Sequence, residues 1–103
     1  MEIQANLDLY AYYENACPNY RIWINDTLYN ERQFWVNWTR EYIEELMYFD
    51  LENGEHTIII EKISALDAKL WAEKLIIKYK DRKKVFEFPI NPQDKQIIKF
   101  TIE

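Results

Sequence analysis

Along the first thirteen residues Ile3, Ala5, Leu7, Leu9, Ala11 and Tyr13 fall on one parity, while Gln4, Asn6, Asp8, Tyr10 and Tyr12 fall on the other. Successive strand side chains point to opposite faces, so this alternation predicts a half-buried strand. Its polar face carries Tyr10 and Tyr12 as near neighbours. Pro18, within Asn15 to Asn19, marks the turn that ends it. Tyr20 to Asn25 repeats the pattern, with Ile22 and Ile24 opposed to Arg21, Trp23 and Asn25, and Asn25-Asp26-Thr27 supplies turn chemistry. Leu28 to Trp38 predicts a further strand entered through the polar stretch Asn30-Glu31-Arg32-Gln33. There Phe34, Val36 and Trp38 share one face, and Trp35 and Asn37 the other.

Between Glu44 and Ile63 two alternating runs flank Glu52-Asn53-Gly54-Glu55. Asn-Gly tolerates the positive φ angles of a primed turn, so the segment predicts a β-hairpin. Ser64 to Tyr79 supports two readings. Ser64 with Asp67 resembles a helix cap, and Ala68, Trp71, Ala72, Leu75 and Tyr79 fit a helical stripe. Against that, Trp71, Leu75, Ile77 and Tyr79 share one face at a period of two. The expectation is a helical turn at residues 64–69, then a strand from Trp71 to Lys80. Val85 to Pro89 and Gln96 to Ile102 predict two last strands around Asn91-Pro92.

About eight short strands without long helices predict an all-β fold, an antiparallel two-layer β-sandwich of jelly-roll-like kind. An α+β fold with one helix at Ser64 to Tyr79 is the alternative. The length of 103 residues suits a single domain. Seventeen residues are aromatic, and the single glycine, Gly54, stands in the predicted hairpin turn. A small core absorbs only part of so many rings, which leaves some as candidate contact surface.

A net charge of −5 disfavours a phosphate-backbone partner, and Lys78, Lys80, Arg82, Lys83 and Lys84 read as a solvated turn. Cys17 is the only cysteine, so an internal disulfide is excluded and a reducing compartment is expected. The N-terminus lacks an unbroken apolar run, and no stretch suits a membrane helix. The expected location is a cytoplasm, or a virion for a phage-encoded chain.

Candidate chemistry is sparse. His56 is the only histidine, which argues against a zinc site and for a structural hydrogen bond to the turn. Asp50, Glu52, Asn53 and Glu55 lack an ordered calcium-ligand spacing. Glu44 and Glu45 are adjacent, so a strand sends them to opposite faces and breaks a carboxylate dyad. Ser64 and Cys17 belong to no nucleophile motif, and a phosphate loop needs glycines this chain lacks. An enzyme reading requires distant carboxylates such as Glu31 and Glu61 to converge. No enzyme, cofactor or metal is expected.

The remaining candidates are rings on faces shared with polar residues: Tyr10, Tyr12, Trp23 and Trp35. Such rings suit sugar recognition, and they suit protein interfaces equally well. Arg21-Ile22-Trp23-Ile24-Asn25-Asp26, Glu31-Arg32 and the run Phe49 to Ile58 resemble small carbohydrate-binding-module β-sandwiches, and also short proteins encoded by tailed phages. The resemblance implies a non-enzymatic binding module with a glycan or protein partner. The alternative is a virion or assembly structural protein that acts through protein–protein contacts, including homo-oligomerisation.

Overall fold

The computed structural model describes residues 1–35 and 42–103. Eight strands build it: β1 (Glu2–Tyr12), β2 (Asn19–Ile24), β3 (Thr27–Gln33), β4 (Tyr42–Asp50), β5 (Gly54–Lys62), β6 (Lys69–Tyr79), β7 (Arg82–Glu87) and β8 (Lys95–Ile102). They form two four-stranded sheets, β4-β1-β6-β7 (sheet A) and β3-β2-β5-β8 (sheet B), and every paired neighbour is antiparallel. The fold is a β-sandwich, and no helix occurs among the described residues. No helix long and apolar enough to cross a membrane is present among them.

The alternating sequence decides which faces meet. Ile3, Ala5, Leu7 and Leu9 of β1 are fully buried, as are Leu75 and Ile77 of β6. Sheet B opposes them with Tyr20, Ile22, Ile58, Ile98, Phe100 and Ile102. Each fully buried aliphatic side chain contributes roughly 1.5–3 kcal/mol of transfer free energy, which makes this contact the main source of cohesion.

Two connections are tight hairpins within a sheet. Asn25-Asp26 joins β2 to β3, with Asn25 at a φ of 54°, and Lys80-Asp81 joins β6 to β7, with Lys80 at 53°. The second carries the basic cluster, of which Lys78, Lys80, Arg82 and Lys83 are exposed as expected, whereas Lys84 is half-buried and donates to the Thr101 carbonyl at 2.7 Å.

Three connections differ from the expectation. The Asn53-Gly54 segment is not a hairpin, because β4 lies in sheet A and β5 in sheet B, so the chain arches from one layer to the other. Met47 on β4 and Ile58 and Ile60 on β5 are all buried, and placing the strands in opposite layers lets both apolar faces meet across the core. At Ser64 to Lys69 the chain makes a β-turn instead of a helical one, closed by the Ala68 amide donating to the Ala65 carbonyl at 2.9 Å. The Lys62 ammonium occupies the concave side of that turn. It donates to the carbonyls of Ala65 (3.2 Å), Leu66 (3.4 Å) and Ala68 (2.7 Å) and pairs with Asp94 at 3.3 Å. Those bonds satisfy carbonyls that a helix would have paired internally.

The polar stretch Asn30 to Gln33, expected as a connection, is instead the second half of β3, and β3 is an edge strand. An edge strand has no second sheet neighbour and tolerates a polar sequence, which hides it from a hydrophobicity pattern. Phe34, just past the end of β3, is buried, while Val36, Asn37 and Trp38 lie outside the described residues.

Candidate functional site

The outer face of sheet A gathers rings from three strands. Tyr10 leaves the central strand β1 on its polar side and pairs in register with Tyr42 of β4 and Trp71 of β6. The Tyr10 and Tyr42 rings stack at 5.4 Å with 25° between planes, and Tyr10 and Trp71 at 6.1 Å with 15°. Each such pair contributes about 0.5–1.5 kcal/mol beyond area burial. Stacked in this way, the three rings stand as a ridge across the sheet.

A β-bulge places Trp71 there. Asp8 pairs with Lys74 and Leu9 with Ala72, so Glu73 is an extra residue on β6. Leu75, Ile77 and Tyr79 point inward as the period of two predicts, but beyond the bulge Leu70 and Ala72 are buried and Trp71 turns outward. The expected common face of Trp71 with Leu75, Ile77 and Tyr79 is thereby corrected. Two consecutive charges, Glu73-Lys74, interrupt the alternation and are the sequence signal for the bulge. Tyr42, also missed, follows from extending the Glu44, Leu46 and Tyr48 parity back by one step.

Polar groups flank the ridge. The Trp71 indole N–H donates to Glu73 Oε2 at 3.0 Å, Asn6 Nδ2 donates to Glu44 Oε1 at 2.7 Å, and the Tyr12 hydroxyl donates to Glu14 Oε1 at 3.1 Å. Asp8 lies between Glu44 and Lys74. Partial burial and then the Glu44 charge push its carboxyl above the usual carboxylate value, opposed by Lys74. The Tyr10 phenol is also raised, first by burial and then by the Glu73 charge. The surface is therefore rich in acceptors and locally anionic.

Of the four predicted contact residues, Tyr10 and Tyr12 share this face, two positions apart on β1. Tyr12 is 57% exposed. Trp23 is on the outer face of sheet B, where its indole N–H donates to Glu61 Oε1 at 3.3 Å. Trp35, 68% exposed, follows the end of β3. The four rings therefore do not form one surface, because β1 and β2 belong to different layers.

The other candidates resolve into structural contacts. His56 Nε2 lies 2.6 Å from the Glu52 carbonyl, and Nδ1 lies 3.1 Å from Asn25 Nδ2, whose own Oδ1 accepts from the Thr57 amide. This assigns the Nε2–H tautomer, in which His56 ties the β4–β5 arch to the β2–β3 turn. A cavity of about 330 Å³ lies beside it, lined by Asn25, Thr57, Lys99 and Phe100 among others. Glu45 is buried, accepts from the Tyr20 hydroxyl and pairs with Arg32 at 3.5 Å, whereas Glu44 is exposed on the opposite face. Glu31 and Glu61 lie on strands to either side of β2, with Arg21 between them donating to Glu31 at 2.5 Å. No cluster of three His, Cys, Asp or Glu side chains suited to a metal occurs among the described residues.

Comparisons with protein-family models, with curated proteins and with solved structures returned no match to this chain.

Proposed function

We propose that the outer face of sheet A is the contact surface of a non-enzymatic binding module, and that its ligand is a glycan chain. The observation that carries this reading is the Tyr42, Tyr10 and Trp71 ridge with Tyr12 exposed beside it. Rings offer C–H-rich apolar surface to a pyranose, and acceptors around them take its hydroxyl protons. Gln4, Asn6, Asp8, Glu44 and Glu73 supply those acceptors on the same face or at its bulge. Acidic neighbours also select a neutral or cationic sugar over a sulfated one, since like charge repels.

The test is binding of soluble neutral polysaccharides by affinity electrophoresis, with Tyr12→Ala and Trp71→Ala compared with the parent chain. Both variants are expected to weaken binding at least tenfold while retaining the β-sheet circular dichroism signal. Unchanged binding in both, or loss only on unfolding, overturns the reading.

A further inference from the structure

The outer face of sheet B carries a second apolar feature that the proposed glycan surface does not use. Cross-strand pairing aligns Leu28 of β3, Trp23 of β2, Ile59 of β5 and Ile97 of β8 in one row across all four strands. The end members are well exposed, Leu28 at 46% and Ile97 at 55%. The adjacent row on the same face reads Glu31, Arg21, Glu61, Lys95, with signs that alternate strictly from β3 to β8.

We infer that this face docks a second copy of the chain. A twofold axis lying between the two faces and running along the strands reverses strand order and keeps the height along each strand. Glu31 then meets the second copy's Lys95, and Arg21 meets its Glu61, with both contacts repeated by symmetry. The apolar row maps onto itself, with Ile97 over Leu28 and Trp23 over Ile59. Two sheets can pack in this manner with strands aligned to within about 30°, and an isologous contact requires exactly such self-complementarity.

The same operation on sheet A matches only half of the charges. Its corresponding charged row reads Glu44, Asp8, Lys74, Glu87, and although reversal sets Asp8 against Lys74 it also sets Glu44 against Glu87 at both ends, so the row is not self-complementary. Charge pattern therefore selects sheet B. A four-stranded face is only about 15–20 Å wide, which puts the buried area at the low end of specific interfaces and makes the dimer concentration-dependent.

Sedimentation equilibrium from micromolar to millimolar chain concentration tests the inference. The parent chain is expected to pass from monomer to dimer. Ile97→Glu should abolish dimerisation, and Lys95→Glu should weaken it by about tenfold or more. Adding Glu31→Lys to Lys95→Glu should restore it, because the swapped charges meet again across the axis. Tyr12→Ala should leave the dimer intact, which separates this face from the proposed glycan surface. A parent chain that stays monomeric throughout, or a dimer indifferent to Ile97→Glu, or a charge swap that fails to rescue, overturns the inference.

Discussion

The Tyr20 hydroxyl on β2 donates to the Glu45 carboxylate on β4, a side-chain bond that ties the two sheets together inside the core. Tyr20 is fully buried and Glu45 nearly so, and Arg32 on the edge strand β3 supplies the balancing charge. A buried carboxylate survives only with such partners.

Tyr20→Phe keeps the ring and removes the donor, leaving Glu45 with one fewer partner. It is expected to cost about 1–3 kcal/mol at neutral pH in urea denaturation. The phenol also gives a pH signature. Burial, then the bond to Glu45 and its charge, raise the Tyr20 pKa far above its ordinary value of 10.0. The native state therefore holds its proton where the unfolded chain releases it, and the associated stability is present below about pH 10 and falls as pH rises further. Tyr20→Phe should flatten that alkaline decline. An equally steep decline in the variant would show that another group causes it.

Strand parity was readable in the sequence wherever a core-facing run keeps strict alternation, as from Ile3 to Leu9. Partner choice was not. Asn53-Gly54 carries a strong local hairpin signal, yet β4 pairs with β1, more than thirty residues earlier, because burial of Met47 and of Ile58 from opposite layers outweighs a turn preference. The ridge was half legible for a related reason. Tyr10 and Tyr12 follow from the parity of β1, whereas Trp71 depends on a one-residue bulge, and a single inserted residue moves everything beyond it to the other face.

Besides Asn25, two of the described non-glycine residues sit in left-handed backbone: Ala65 at a φ of 62° and Lys80 at 53°. A Cβ in that region costs about 1–2 kcal/mol, partly offset by the greater unfolded-state freedom of glycine. Lys80→Gly and Ala65→Gly should each raise the melting temperature. Lys78→Gly, within β6, should lower it. A Lys80→Gly variant less stable than the parent chain would refute the backbone argument.

The ionised Asp8 carboxylate sits in surroundings that favour its neutral form. Burial and Glu44 raise its carboxyl above the ordinary value of 3.8. The native state then binds that proton more tightly, so the stabilising contribution is complete below the unfolded value and is lost as pH rises through the folded one. Asp8→Asn is therefore expected to raise the melting temperature at pH 7 and to give no such gain at pH 3. A gain of equal size at both pH values would remove ionisation as its cause.

Gln96 repairs the sheet edge that β7 leaves open. The β6–β7 ladder ends with Lys74 paired to Glu87, and the Phe88 amide still donates to the Glu73 carbonyl at 2.9 Å. One residue further along β6, the Gln96 side chain from β8 takes the place of a strand. Its Oε1 accepts from the Ala72 amide at 2.9 Å and its Nε2 donates to the Ala72 carbonyl at 3.4 Å. Ala72 is itself fully buried, so losing this amide strands two backbone groups away from ready replacement. Gln96→Ala should cost about 1–3 kcal/mol, equivalent to a fall of roughly 4–8 °C in melting temperature per kcal/mol for a domain of this size. Gln96→Glu retains the acceptor for the Ala72 amide but sets a carboxylate oxygen, which cannot donate, against its carbonyl, and should not restore the stability of the parent chain at neutral pH. Amide hydrogen exchange separates the local effect from a general one: Ala72 should lose protection in Gln96→Ala at conditions where the Leu7 and Leu75 amides, paired within the β1–β6 core, keep theirs. Equal loss at all three sites would mean that Gln96 acts on global stability and not as a surrogate strand.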